Sequence, residues 1–138
     1  MDGISILRMD QGHWEAMRHH VLCSLPEEAC GILSGEGNLI CEVFPVVNAL
    51  HSSTRFRMDP EGQLAAMMKI EDVGQELIGI FHSHVLGPEH PSASDIGEAY
   101  DPGMIHLIWF AIDGDWHCRA YRLVENEPIE IPILVNPQ

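Results

Sequence analysis

From Phe81 to Asp95 the chain reads F-H-S-H-V-L-G-P-E-H-P-S-A-S-D, an H-x-H pair with a serine eight positions later and an aspartate three beyond that. Successive side chains on a strand point to opposite faces, so His82 and His84 emerge together while Ser83 points away. The apolar run from Leu77 to His84 predicts that strand, and the Gly- and Pro-containing stretch behind it predicts an abrupt end in a loop. The fold must therefore set two imidazoles on a rigid strand end at the mouth of a loop. Ser92 opens a predicted short helix reaching to about Tyr100, where Ser92 and Asp95, three apart, share a face. Two imidazoles and one carboxylate are the usual protein contribution to a catalytic zinc, whose fourth position stays open to water. By chance this spacing arises in about two chains per thousand of such composition, a rough false-positive rate for the motif.

Each residue also has an ordinary structural reading. A lone histidine at a strand end is usually a surface or hydrogen-bonded group; the pair followed by the carboxylate reverses that preference. Ser92 with Asp95 resembles a capping box, although a hydroxyl can cap a helix and still donate. His90 is an alternative ligand in the same loop, where a solvated imidazole is the commoner case. Hydrolysis at a metal also needs a base near the water. Glu27 and Glu28 precede the first apolar strand, where burial perturbs a carboxylate. Among thirteen glutamates, residue physics alone does not select between them.

The 138 residues are expected to form one domain, 1–138, large enough for a real core. A formal net charge of −14 repels phosphate backbones, which argues against nucleic acid as a partner. Cys23, Cys30, Cys41 and Cys118 form no C-x-x-C pair and lie among apolar residues, as expected of small buried hydrophobes in a reducing compartment. No apolar run approaches the roughly 20 residues that span a bilayer, and no secretory signal is visible at the start. The expectation is a cytoplasmic protein with no membrane partner.

Along the chain, Asp10 is read as the cap of a helix with Trp14, Met17, Val21 and Leu25 on one face, ended by Pro26. Cys30 to Leu33 reads as a strand closed by a turn at Ser34-Gly35-Glu36-Gly37, and Leu39 to Val47 as its hairpin partner. Asp59-Pro60 caps a second helix running to about Gln75, with Leu64, Met67, Met68 and Val73 facing in as core. Ile105 to Ile112 and Trp116 to Val124 make a second hairpin around Asp113-Gly114, and a last strand covers Ile129 to Leu134. Three helices among hairpin-joined strands give an α+β domain rather than a doubly wound parallel one.

H-S-H-x7-S-x-x-D, His82 to Asp95, resembles the JAMM motif of MPN-domain metallopeptidases. Pro26-Glu27-Glu28-Ala29-Cys30-Gly31-Ile32-Leu33 is similar to that family's early glutamate motif, an acid three residues before a glycine. The resemblance covers most of the chain and fits the short prokaryotic members. It implies a curved mixed β-sheet flanked by helices, related in shape to cytidine deaminases. It further implies that His82, His84 and Asp95 bind Zn2+, that Glu28 rather than Glu27 is the catalytic base, and that Ser92 stabilises the oxyanion. The implied substrate is an amide or isopeptide bond at the C-terminal tail of a ubiquitin-like sulfur-carrier protein. One departure is visible: short members usually have proline after the second histidine, where this chain has Val85, which bears on substrate fit. The alternative is a non-catalytic MPN-type interaction module, though such modules usually lack a ligand or the glutamate. A deaminase on the same scaffold would need a P-C-x-x-C pair, which is absent.

Overall fold

A computed structural model describes residues 3–87, 89 and 103–137. In chain order the elements are β1 (Leu7–Asp10), α1 (Gln11–Ser24), β2 (Cys30–Glu36), β3 (Leu39–Val46), α2 (Pro60–Asp72), β4 (Glu76–His84), β5 (Ile105–Ile112), β6 (Asp115–Val124), β7 (Glu127–Ile131) and β8 (Ile133–Asn136). The strands form one mixed sheet of order β7-β6-β5-β4-β2-β3-β1-β8. Strand β1 is parallel to β3 and β8, and β4 is parallel to β5; the other neighbours are antiparallel.

The two edge strands are consecutive in the chain, with only Pro132 between them. Edges that close together force the sheet to curl. Proline has no N–H to give to a ladder, so it suits the point where the chain leaves one edge for the other, and its carbonyl accepts from Leu7 N–H at 2.9 Å. The expected single strand over Ile129 to Leu134 is therefore two strands on opposite edges. Strand β1 was not anticipated either: it is four residues long and held by parallel partners remote in sequence.

The curled sheet has an inside and an outside. Inside, α1 contributes Met17 and Val21 to a core with Leu7, Leu33, Phe81, Leu107 and Trp109, all fully buried. Trp14 meets Trp109 with ring centroids 4.8 Å apart. Outside, α2 buries Ala66 and Ile70 against Cys30, Ile32, Val46 and Ile80. Asp59 caps α2 as expected, its Oδ2 accepting from Gly62 N–H at 3.0 Å. The helix stops at Asp72 rather than Gln75.

Its inward face is not the expected one. Leu64, Met67, Met68 and Val73 are exposed, Leu64 by 61% and Met68 by 59%. The small Ala66 and the branched Ile70, four apart, let the helix lie close on the sheet, and the longer chains turn outward. At the first helix, Asp10 occupies the cap position without a side-chain cap hydrogen bond, and Leu25 is exposed. Strand β2 continues through Ser34-Gly35-Glu36, and the turn begins only at Gly37, whose φ is +61°. Glycine is needed at position 35 because a Cβ there would overlap the Leu39 carbonyl across the hairpin. Of the cysteines only Cys30 is buried; Cys23 is exposed, and Cys41 and Cys118 are intermediate. The third helix, expected from Ser92 to about Tyr100, lies outside the described residues.

Candidate active site

Strands β2 and β4 run antiparallel with Cys30 opposite His82, Gly31 opposite Phe81 and Ile32 opposite Ile80. Continued two residues, this register sets Glu28 opposite His84. Directly opposed residues share a face and alternate ones return to it, so Glu28, Cys30, His82 and His84 belong to the outer face. Phe81 and Ser83 belong to the inner one. The glycine three residues after Glu28 has a steric reason. A Cβ on Gly31 would fall within 2.2 Å of the Phe81 ring, so β2 can lie over that ring only without a side chain there.

His82 is fully buried and His84 is 6% exposed, with their Nε2 atoms 3.1 Å apart. Two neutral ring nitrogens cannot turn lone pairs towards each other at this distance without a proton or a cation between them. Nitrogens each about 2.0–2.1 Å from a tetrahedral zinc lie about 3.3–3.4 Å from one another, so the pair fits such an ion with little adjustment. Phe56 stacks on the His82 ring at 4.5 Å and 25° and fixes its plane. Behind His84 the chain turns back closely enough that a Cβ on Gly87 would meet the imidazole.

Glu28 is 5% exposed. Its neighbour Glu27 is engaged elsewhere, its carboxylate 3.1 Å from His51 Nδ1 in a solvent-exposed hydrogen bond. The structure thus separates two glutamates that composition left equivalent. A cavity of about 350 Å³ lies between the end of α1 and the end of β3, with His20, Glu27, Glu28, Asn48 and His51 in its wall. Burial, together with the Glu28 charge, pushes the Cys30 thiol up to about 12, so Cys30 stays protonated at neutral pH. On the inner face, Ser83 ties the two strands at this end. Its Oγ accepts from Ala29 N–H at 2.8 Å while its own N–H donates to Ala29 O at 3.0 Å.

Of the expected site residues, the structure brings His82 and His84 into contact and sets Glu28, by the strand register, on the same face of the sheet. Ser92, Asp95 and the alternative ligand His90 lie outside the described residues. Among those described, no group of three or more His, Cys, Asp or Glu side chains gathers to hold an ion. Sequence reasoning missed Phe56, Ser83 and Asn48 as parts of the site. No local pattern marks them, since each acts on a residue far away in the chain. Arg119 and Tyr121 on β6 hold Glu89, five residues past His84: Arg119 lies 3.0 Å from its carboxylate, and Tyr121 OH donates to Glu89 O at 2.7 Å.

The described residues thus form a curled mixed sheet wrapped on one helix, with two convergent imidazoles at an outer strand end and a buried carboxylate on the same face. Residues 10–124 match the family described as prokaryotic homologs of the JAB domain, and the chain belongs to that family. It is 36% identical to a desampylase from Pyrococcus furiosus, over 83% of this chain and 81% of that one. It is 34% identical to the CysO-cysteine peptidase of Mycobacterium tuberculosis, over 89% and 86%. A solution structure of a protein from Desulfitobacterium hafniense superposes with a TM-score of 0.85 at 31% identity, covering 96% of this chain and 94% of that one.

Proposed function

We propose that the chain, as a single domain over residues 1–138, is a zinc metallopeptidase. Its substrate in this reading is an amide or isopeptide bond at the C-terminal tail of a ubiquitin-like sulfur-carrier protein. The observation that carries the reading is the 3.1 Å approach of the His82 and His84 Nε2 atoms on the same sheet face as the buried Glu28. The relative named as a peptidase for a CysO–cysteine bond supports the substrate class.

His82, His84 and Asp95 would hold the metal, and His82 is pre-set for this by the Phe56 ring. A bound zinc would polarise the scissile carbonyl and acidify water. Glu28 takes the proton from the attacking water and returns it to the departing amine, a role typically worth about 10²–10⁴-fold. Ser92 donates a hydrogen bond to the oxygen that gains charge as the carbonyl becomes tetrahedral, worth about 10²–10³-fold for one such donor. No helix among the described residues is long and apolar enough to cross a membrane.

The test is incubation of the metal-loaded protein with a ubiquitin-like carrier bearing a C-terminal extension, with mass spectrometry locating the cut. Cleavage at the carrier's own C-terminus, lost on chelation, is the expected result. Cleavage of unrelated peptides and of no carrier would instead mark a general peptidase.

A further inference from the structure

Base and imidazole reach the site on different strands, yet one loop touches both. Between β3 and α2 the chain closes on itself through an antiparallel bridge of Asn48 with Met58. Asn48 sits inside the loop, 5% exposed. Its Nδ2 donates to the carbonyls of Arg55 at 3.0 Å, Glu28 at 3.1 Å and Ser52 at 3.4 Å. Its Oδ1 accepts from Leu50 N–H at 3.0 Å and Arg57 N–H at 3.1 Å. A carboxamide has two donor hydrogens and two acceptor lone pairs, so this one is fully used.

The Ser52 carbonyl in turn accepts from Glu28 N–H at 2.8 Å. Both backbone polar groups of Glu28 therefore end on the loop, because the β2 ladder begins only at Cys30. Eight residues past Asn48, the same loop lays Phe56 on His82. Sheet pairing alone does not fix Glu28 against the imidazoles.

We propose that Asn48 is a positioning residue for the hydrolysis: it locks the 47–58 loop to the Glu28 carbonyl and so holds the base in register with His82. The inference rests on the reading of Glu28 as the base. Asn48 acts through Glu28 and touches no reacting atom. A catalytic group displaced by about 1 Å loses on the order of 10²-fold in rate, so a loosened loop shows in turnover before it shows in substrate binding.

The decisive variant is Asn48→Asp, which keeps the acceptor oxygen and sets a carboxylate against three carbonyls. The zinc-loaded full chain is assayed on the carrier with its C-terminal extension, alongside zinc content, thermal unfolding and amide exchange at Glu28. The expected outcome is a folded variant with about one zinc per chain, kcat lower by about 10- to 100-fold and KM within about threefold. Its Glu28 amide should exchange faster. A folded, zinc-loaded variant with wild-type kcat overturns the proposal, as does a loss of rate fully explained by loss of zinc. Should Asn48→Asp not fold, Ser52→Ala decides. The Ser52 hydroxyl accepts from Thr54 N–H at 3.1 Å and Arg55 N–H at 3.3 Å at the surface, so its removal loosens the loop without touching the core. A fall in kcat of about two- to fivefold at constant zinc is expected, and an unchanged kcat overturns the proposal. Glu28→Gln separates the two ideas. If it is as fast as wild type, the assigned base fails and takes the positioning role with it; if it is dead while Asn48→Asp is unaffected, only the positioning role fails.

Discussion

The two faces of strands β2 and β4 do opposite work although they alternate residue by residue. The inner face, with Ala29, Leu33, Phe81 and Ser83, is sealed against α1 and has no exposed atom of consequence. The outer face begins the same way, with Ile32 and Ile80 under α2. At the strand ends it passes to Glu28, His82 and His84, where, among the described residues, the 47–58 loop supplies the contacts to Glu28 and His82. A helix covers by apolar contact and leaves nothing polar to reach. The loop brings the Ser52 carbonyl and the Asn48 amide to the Glu28 backbone, whose buried polar groups need partners, and a single aromatic ring to His82. The difference teaches that the site is an outer-face core whose last layer has been exchanged for polar residues, held rigid by the apolar face behind it.

That comparison can be broken from either side. The largest effect should come on the outer face: His82→Ala should abolish stoichiometric zinc binding, read by metal analysis, and bring hydrolysis to background. Glu28→Gln should retain zinc and lose about 10²–10⁴-fold in kcat; a rate within a few-fold of wild type would contradict its role. The inner face should answer in stability instead. Phe81→Ala should lower unfolding free energy by about 3–5 kcal/mol, measured by denaturant titration. Ser83→Ala leaves the buried Ala29 N–H unsatisfied and should cost about 1–3 kcal/mol. A Ser83→Ala variant of full stability would mean that the β2–β4 junction is held by other contacts.

A subtler effect concerns pH. Burial lowers the pKa of His20, outweighing its bond from Nε2 to Cys30 O at 3.1 Å. The unfolded chain therefore takes up the proton first as pH falls. The stability His20 contributes is complete above its ordinary 6.5 and is lost as pH drops through that value towards the lower folded one. His20→Gln should flatten the fall in Tm between about pH 7 and 5. The smallest effect is expected on the exposed side of α2, where Leu64→Ser and Met68→Gln should change stability by no more than about 0.5 kcal/mol. A loss of several kcal/mol there would return these residues to the core that their spacing first suggested.

Some of this was legible beforehand because the signals are local. The strand with alternating histidines, the Asp59-Pro60 cap and the Asp113-Gly114 turn, whose φ values are +52° and +87°, each depend on neighbours in sequence. The inward face of α2 was misread because Leu64, Met67 and Met68 fit the helical period as well as Ala66 and Ile70 do. Close approach to a sheet favoured the smaller pair. The splitting of the last strand at Pro132 was missed for a related reason: an apolar run does not say which edge it joins.

By itself, the sequence determined the chemistry on offer: two imidazoles on one side of a strand, a carboxylate and hydroxyl behind them, and an acid three residues before a glycine. Only the tertiary structure decided which glutamate lies on the imidazoles' face of the sheet, because that choice follows from the β2–β4 register and from Glu27 being drawn to His51. It also decided what holds them in place. Asn48 and Phe56 act on partners 20 and 26 residues away in the chain, and such contacts exist only once the curled sheet has brought the loop over the strand ends.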